Sequence, residues 1–372
     1  MRTAIVHYWL LNMRGGEKVL EALCKLLPDA DIFTLFYDPE AISPAIRSHR
    51  VTTSFLDPLR RFHRHLLPLM PFALEQFDLR SYDLVISSES GPAKGVITST
   101  HTRHICYCHT PMRYLWDLYP DYLQWSGNPI SRAALACLAP PLRVWDYATA
   151  ARVDEFVANS ENVRRRIWKA YRRESEVIYP PVAVDKFFWQ PSEDYYLIVS
   201  ELVPYKRLDY AVRYFAASGR KLKVAGDGPQ FSSLKKLANQ NVEFCGKVSD
   251  SELRLLFARC RAFLLPGEED FGITVVESMA SGKPVVALGR GGVLDSVPDG
   301  IAGILYAEPS ETDLAEAVNQ FEAIEKSIDV AVLQGQAARF SEDTFLAAMA
   351  SLIDRTRIAP PREKNEMRRL RV

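Results

Sequence analysis

Apolar residues fall along this chain in two alternating patterns. Short runs rich in β-branched and aromatic residues alternate with stretches whose apolar positions recur every three or four residues. Thr3-Ala4-Ile5-Val6-His7-Tyr8-Trp9 predicts a first strand and Asn12-Met13-Arg14-Gly15-Gly16 a turn. From Glu17 to Leu27, the residues Val19, Leu20, Leu23, Leu26 and Leu27 share one helical face, and Pro28 ends it. Strands are predicted again at Tyr82–Ser87, His104–Cys108 and Phe156–Ala158. After the paired prolines Pro180-Pro181 the series restarts, with strands predicted at Tyr196–Ser200, Lys221–Ala225, Val242–Cys245, Ala262–Leu265, Val285–Leu288 and Gly303–Tyr306. Helical patterns near Leu208–Ala217, Gln230–Asn239, Asp250–Arg259, Thr274–Ser281 and Glu311–Phe321 separate them. Alternation at this spacing implies right-handed crossovers and a parallel sheet, so the fold class is α/β with two Rossmann-like domains facing across a cleft. The expected division is an N-terminal domain over 1–182, a linker over 183–194 and a C-terminal domain over 195–345. A final helix and basic tail follow over 346–372, with a return to the N-terminal domain as one option.

Composition changes this picture little. The 372 residues are too many for one comfortable core, and 48% hydrophobic with 25% charged residues is ordinary for a globular protein. With 46 basic against 46 acidic residues, no nucleic-acid partner is expected. The chain enters its first strand at Thr3 without a signal-peptide pattern, and no apolar run approaches the ~20 residues of a membrane span. Six scattered cysteines fit a reduced compartment, so a cytoplasmic location is expected. Cys106 and Cys108 share one strand face and read as small core residues or a metal pair.

Two basic segments stand out. Over 47–72, Arg47, Arg50, Arg60, Arg61 and Arg64 face only Asp57, and Phe55, Leu56, Leu59, Phe62, Leu66, Leu67, Leu69, Met70 and Phe72 are interleaved. Such a segment either lies on an anionic membrane surface or forms a solvated basic helix packed by its apolar side. Arg164, Arg165, Arg166, Lys169, Arg172 and Arg173 read as a solvated helix face. The tail from Ala359-Pro360-Pro361 to Val372 reads as frayed or membrane-proximal.

Candidate chemistry concentrates on Phe263–Gly282. A buried strand breaks at Pro266-Gly267, passes through Glu268-Glu269-Asp270-Phe271-Gly272, and resumes as a helix. Glu269 lies in the loop past the strand's carboxyl end, where open α/β sheets bind ligands, and Glu277 lies about one turn into the helix. Gly272 permits close backbone approach, and the helix's free N–H groups can receive a phosphate. Gly15-Gly16, Gly226-Asp227-Gly228-Pro229, Gly246-Lys247-Val248 and Gly289-Arg290-Gly291-Gly292 offer further strand-end turns.

The Glu269-to-Glu277 stretch resembles the signature of the retaining glycosyltransferases of family 4. Gly15-Gly16-Glu17, His109-Thr110-Pro111, Leu202-Val203-Pro204-Tyr205-Lys206-Arg207 and Gly226-Asp227-Gly228-Pro229 support the match in order and spacing. The resemblance implies glycosyltransferase fold B and transfer of a sugar from a nucleotide-diphosphate donor, with no cofactor and no metal required. His109, Lys206 and Glu269 are implied to be catalytic. Gly15, Gly16, Arg207, Gly228, Val248, Phe271, Gly272, Ile273 and Glu277 are implied to bind the donor. Glu269 would contact the sugar and Glu277 the ribose. Cys106-Tyr107-Cys108-His109-Thr110-Pro111-Met112-Arg113-Tyr114-Leu115-Trp116-Asp117 looks most like bacterial mannosyltransferases that use GDP-mannose in surface-polysaccharide assembly. That implies a lipid-linked saccharide acceptor at the inner membrane face. Arg113, Tyr114, Trp116 and Asp117 are acceptor-binding candidates or an aromatic core loop. Where the family often has an arginine five residues before the lysine, this chain has Glu201, and Arg207 is the candidate replacement cation. A sugar-nucleotide epimerase and a non-catalytic nucleotide-binding scaffold are the alternatives on the same fold.

Overall fold

The computed structural model describes residues 1–125 and 127–358; the basic tail considered above lies outside them. The first sheet is built of β1 (Thr3–His7), β2 (Asp31–Thr34), β3 (Val51–Thr53), β4 (Leu84–Glu89), β5 (Arg103–Cys108), β6 (Glu155–Ala158) and β7 (Ser175–Val177). Its order is β3-β2-β1-β4-β5-β6-β7, and every pair is parallel. The second sheet holds β8 (Tyr196–Val199), β9 (Leu222–Ala225), β10 (Val242–Gly246), β11 (Phe263–Leu265), β12 (Val285–Leu288) and β13 (Gly303–Tyr306). Its order is β10-β9-β8-β11-β12-β13, again all parallel. Helices cover both faces of each sheet, which is why β1 and β4 are buried at every position.

Both sheets reverse their strand order at one internal strand, β1 in the first and β8 in the second. Connections leaving neighbouring strands to opposite sides open a crevice at such a point. The turn before Gly15 follows β1, and the loop carrying Lys206 follows β8, so topology alone places both at the mouths of the two crevices. The helix Gly15–Leu26 begins two residues before the expected Glu17, taking in both glycines, with the Glu17 carboxylate accepting from the Arg14 N–H at 2.9 Å and Val19, Leu20 and Leu23 buried.

Three short strands escaped the sequence pattern. β2, β3 and β7 run three or four residues, and β3 and β7, the edge strands of the sheet, are only partly buried and lack a continuous apolar run. Segment 47–72 is not one helix. It supplies β3, a 3₁₀ turn over Asp57–His65, another over Leu67–Leu69 and the helix Met70–Glu75, broken by Pro58, Pro68 and Pro71. Leu56 and Met70 enter the core, while Phe55, Leu59, Phe62, Leu69 and Phe72 stay exposed, Phe72 at 64%. Cys106 and Cys108 are fully buried core residues, packed with Val163 and Ile167 of the following helix.

Residues 183–194, expected as a linker, lie against the second lobe. Phe187 packs on its core, and Lys283 donates to the Gln190 carbonyl at 2.7 Å and to Ser192 Oγ at 2.8 Å. The crossing between lobes is therefore short, between Ile178 of the first core and Val182 of the second. The helix Glu342–Ile358 crosses back, and Phe345, Met349, Leu352 and Ile353 join the first lobe's core beside Leu20, Leu23 and Tyr107. Among the described residues, no helix is long and apolar enough to cross a membrane.

Phe345 is 2% exposed, with its ring 5.7 Å from that of Tyr107. Phe345→Ala should therefore cost roughly 3–5 kcal/mol, the range for a large buried ring. Urea unfolding followed by a first-lobe probe should show the loss; a change below about 1 kcal/mol would mean that the returning helix is not part of that core.

Candidate active site

A cavity of about 810 Å³ lies between the lobes, walled by loops that leave the carboxyl ends of strands from both sheets. The first lobe contributes Arg14, Gly15, Gly16, Arg64, Ser90, His109 and Asn159, and the second Glu201, Tyr205, Lys206, Gly226–Pro229, Lys247, Val248 and Glu269–Thr274. Of the expected residues, His109, Lys206, Glu269, Gly15, Gly16, Gly228, Val248, Phe271, Gly272 and Ile273 thus share one wall system.

Gly272 holds φ at +88° at the amino cap of the helix Ile273–Ala280, a conformation that a side chain strains. That turn sets the acidic loop against the helix start. Lys206 and Glu269 form an ion pair, with the two side chains 13% and 22% exposed. Burial and the nearby Arg113 guanidinium push the Lys206 ammonium down to about 7, while Asp270 and Glu201 draw it upward. Direct contact with the Glu269 carboxylate opposes the depression, so the pair remains ionic.

His109 is fixed from three sides. Its N–H donates to the Glu89 carbonyl at 2.7 Å, its Nε2 lies 3.0 Å from Ser88 Oγ, and its ring meets the Tyr107 ring edge-on at 5.3 Å. Burial, reinforced by His7, pushes its pKa down to about 3, against the opposing pull of Glu17 and Asp270. At neutral pH it is an uncharged imidazole that offers one ring nitrogen to a ligand hydroxyl.

Several expected residues stand elsewhere. Arg207 sits in a left-handed turn at φ 52°, ion-paired to Asp209 at 3.2 Å and stacked over Tyr210 at 5.5 Å, and does not line the cavity. The αL turn that starts the next helix carries its side chain along that helix. Glu277 is buried behind the wall and accepts from Lys18 Nζ of the opposite lobe at 3.3 Å. Trp116 donates to the buried Asp146 at 2.7 Å and packs in the core, and the Tyr114 hydroxyl donates to Met112 Sδ at 2.9 Å. Those two belong to the aromatic core loop, because a buried indole N–H needs an acceptor and Asp146 supplies it. Arg113 and Asp117 instead line a side pocket of about 350 Å³ with Arg166, Tyr205 and Glu268.

Charge pairs across the lobes were not visible in the sequence. Arg113 reaches Asp270 at 2.5 Å, and Arg166 pairs with Asp270 and with Glu268 at 2.7 Å, while Asp117 of its own lobe holds Arg166 at 3.2 Å. Ser160 Oγ donates to the Asp270 carbonyl at 2.6 Å. Arg166 belongs to the run read as a solvated face; it is only partly exposed and pairs with the other lobe, whereas Arg164 and Arg165 are exposed. Gly291 and Gly292, considered as a phosphate turn, are backing for the acidic loop. The Gly292 N–H donates to the Glu269 carbonyl at 2.9 Å, and a Cβ at Gly291 would meet that oxygen at 2.3 Å.

Comparison with known proteins places this geometry. Residues 13–186 match the family model Glycosyltransferase Family 4, and residues 183–337 match Glycosyl transferases group 1. An uncharacterized glycosyltransferase of Methanocaldococcus jannaschii is 27% identical over 46% of this chain and 50% of its own length. A GDP-mannose-dependent alpha-(1-6)-phosphatidylinositol monomannoside mannosyltransferase of Mycobacterium tuberculosis is 28% identical over 65% of this chain and 69% of its own. For the first of the curated relatives it matches, the chain spans about half their length or less. Among solved structures, Anabaena HepE in complex with UDP and glucose superposes with a TM-score of 0.70 at 18% identity, covering 95% of this chain and 100% of that one.

The depressed His109 pKa sets a pH dependence of stability. Between about pH 6.5 and 3 the unfolded imidazole takes up a proton that the native one does not, so native stability falls as pH falls through that window. His109→Gln should flatten the fall between pH 6.5 and 4 when denaturation midpoints are compared; parallel slopes in both proteins would contradict a buried neutral His109.

Proposed function

We propose, for a chain that belongs to the two-domain (GT-B) glycosyltransferases of group 1 and family 4, that it transfers a sugar from a nucleotide-diphosphate donor with retention of configuration and no metal requirement. The donor proposed is GDP-mannose and the acceptor a lipid-linked saccharide, reached at the inner face of the cell membrane. The observation that carries the reading is the convergence of Lys206, Glu269, His109 and the Gly15–Gly16 helix start on one cavity.

The roles follow from charge and position. A diphosphate leaving group gains negative charge as the bond to the sugar breaks. Lys206 and the free N–H groups of the helices beginning at Gly15 and Ile273 are the groups that meet that charge. Glu269, now paired with Lys206, exchanges that partner for sugar hydroxyls once phosphate takes up the lysine. Neutral His109 accepts from or donates to a further hydroxyl. Attack comes from the face that the diphosphate leaves, and a phosphate oxygen takes the acceptor proton. Val248 and Lys247, which also line the cavity, are assigned to the nucleobase. Glu277 reaches the ribose only by giving up Lys18, so its role depends on a shift between the lobes.

The mannose and lipid-acceptor readings are supported by the Mycobacterium tuberculosis relative and by one feature of this chain. Arg64, which lines the cavity, belongs to the same 3₁₀ segment as the exposed Phe62, Leu59, Arg60 and Arg61. An apolar and cationic surface therefore borders the cavity mouth, where a membrane-embedded acceptor would present its head.

Lys206→Ala and Glu269→Ala should each lower transfer from GDP-mannose by about 100-fold or more, the scale for a transition-state charge contact. Transfer by the parent chain should persist in excess EDTA. Near-parental turnover in either variant, or abolition by the chelator, would overturn the assignment. Thermal-shift comparison of GDP-, UDP- and ADP-sugars identifies the donor, because the one bound raises the midpoint. Replacing Arg60 and Arg61 by alanine should weaken binding to anionic vesicles by roughly tenfold or more, at about 1 kcal/mol per surface cation; unchanged sedimentation with vesicles would reject the membrane contact.

A further inference from the structure

We infer that Arg14, from the first lobe, supplies the second cation for the donor diphosphate, and that Glu201 holds Arg14 ready for it. This rests on the donor reading above and deepens it.

Glu201 presents a carboxylate on the cavity wall in the same loop as Lys206, close enough to add to the negative potential there. An acid beside the lysine repels a diphosphate unless another group neutralises it. Arg14 does so, donating from Nη1 to Glu201 Oε2 at 3.2 Å across the gap between lobes. Arg207, adjacent to Lys206 in the chain, is tied to Asp209 and Tyr210 outside the cavity. Arg14 is also the amino cap of the helix Gly15–Leu26, whose first N–H groups face the same space. A phosphate seated on that helix start lies within a side chain's reach of the guanidinium.

The exchange is physically cheap. The Arg14 and Glu201 side chains are 57% and 38% exposed, so solvent screens their attraction and resolvates whichever partner is left. A diphosphate offers more charge than one carboxylate, and paired oxygens that match the planar fork of arginine. Lys206 from one lobe and Arg14 from the other then hold the same group, so donor binding draws the lobes together. The positions of positive and negative charge are swapped across the cleft: the second lobe carries an acid, and the first lobe carries the cation that answers it.

A double-mutant cycle tests this with UDP and GDP as probes, titrated calorimetrically into the full chain. Arg14→Ala should weaken binding of whichever nucleotide the parent takes by roughly tenfold, the range for one charged hydrogen-bond contact. Arg14→Lys, which keeps the charge without the fork, should fall between. Glu201→Arg places a cation directly on the second lobe, and in that background Arg14→Ala should change affinity less than twofold. An Arg14→Ala protein that binds like the parent, or that loses the same factor in both backgrounds, overturns the inference and leaves the donor reading standing. A parent chain that binds neither nucleotide overturns both. Unchanged thermal midpoints of the free variants separate a lost contact from a lost fold.

Discussion

The cleft depends on one loop, Glu268–Gly272, being gripped by both lobes at once. Arg113 and Arg166 hold Asp270 and Glu268 from the first lobe, Lys206 holds Glu269 from the second, and Gly292 supports the loop from behind. Three consecutive acids in one short loop repel one another, and their desolvation would be costly without these cations. The grouping therefore exists only while the lobes face each other. On the function proposed, apposition of the lobes would complete the loop's charge pairing, which suits a reaction that must keep water from an activated sugar.

A second set of buried charges lies behind the first-lobe wall. Lys94 pairs with Asp146 and, at 3.6 Å, with Glu89, while Trp116 and Tyr171 donate to Asp146 at 2.7 and 2.9 Å. Burial and Asp146 push the Glu89 carboxyl up to about 7, with Lys94 pulling it back. The Glu89 carbonyl receives the His109 N–H, and the neighbouring Ser88 meets the His109 ring. The neutral imidazole at the cavity is thus anchored to a strand end backed by buried charges, which holds it in place as a hydrogen-bond partner.

Chain connectivity reinforces this dependence of one lobe on the other. The crossing from first to second core is short, and the helix Glu342–Ile358 returns to the first core after the second is complete. The two crossings lie side by side, where the Val182 N–H donates to the Phe340 carbonyl at 3.0 Å, so a rotation about them would move the opposite side most. The cavity lies between strand ends that such a motion would bring together or part, and the Arg14–Glu201 and Lys18–Glu277 pairs cross that gap.

The two-lobe α/β architecture was legible from the sequence, because fully buried parallel strands are apolar runs and the helices between them carry a 3.6-residue period. The acidic loop, the glycine turn, His109 and Lys206 were legible for a related reason: each follows directly on a recognisable strand, and a strand's carboxyl end is where such folds bind ligands. The edge strands β3 and β7 were not legible, since they are half-exposed, lack the apolar run of a buried strand and are held by a neighbour on one side only. Neither was the direction of a side chain past its own turn. Arg207 looks like a cleft cation on paper, whereas Arg14 reads only as part of a turn. Only the left-handed backbone at Arg207 and the facing Glu201 decide that one turns away and the other crosses the gap. Which of its two readings Trp116 takes, and the turn of Arg166 away from solvent, were decided in the same way. Local sequence determines what a segment can form, but the partner of a buried indole or a bridging guanidinium is set by which distant residues the two sheets bring within 3 Å.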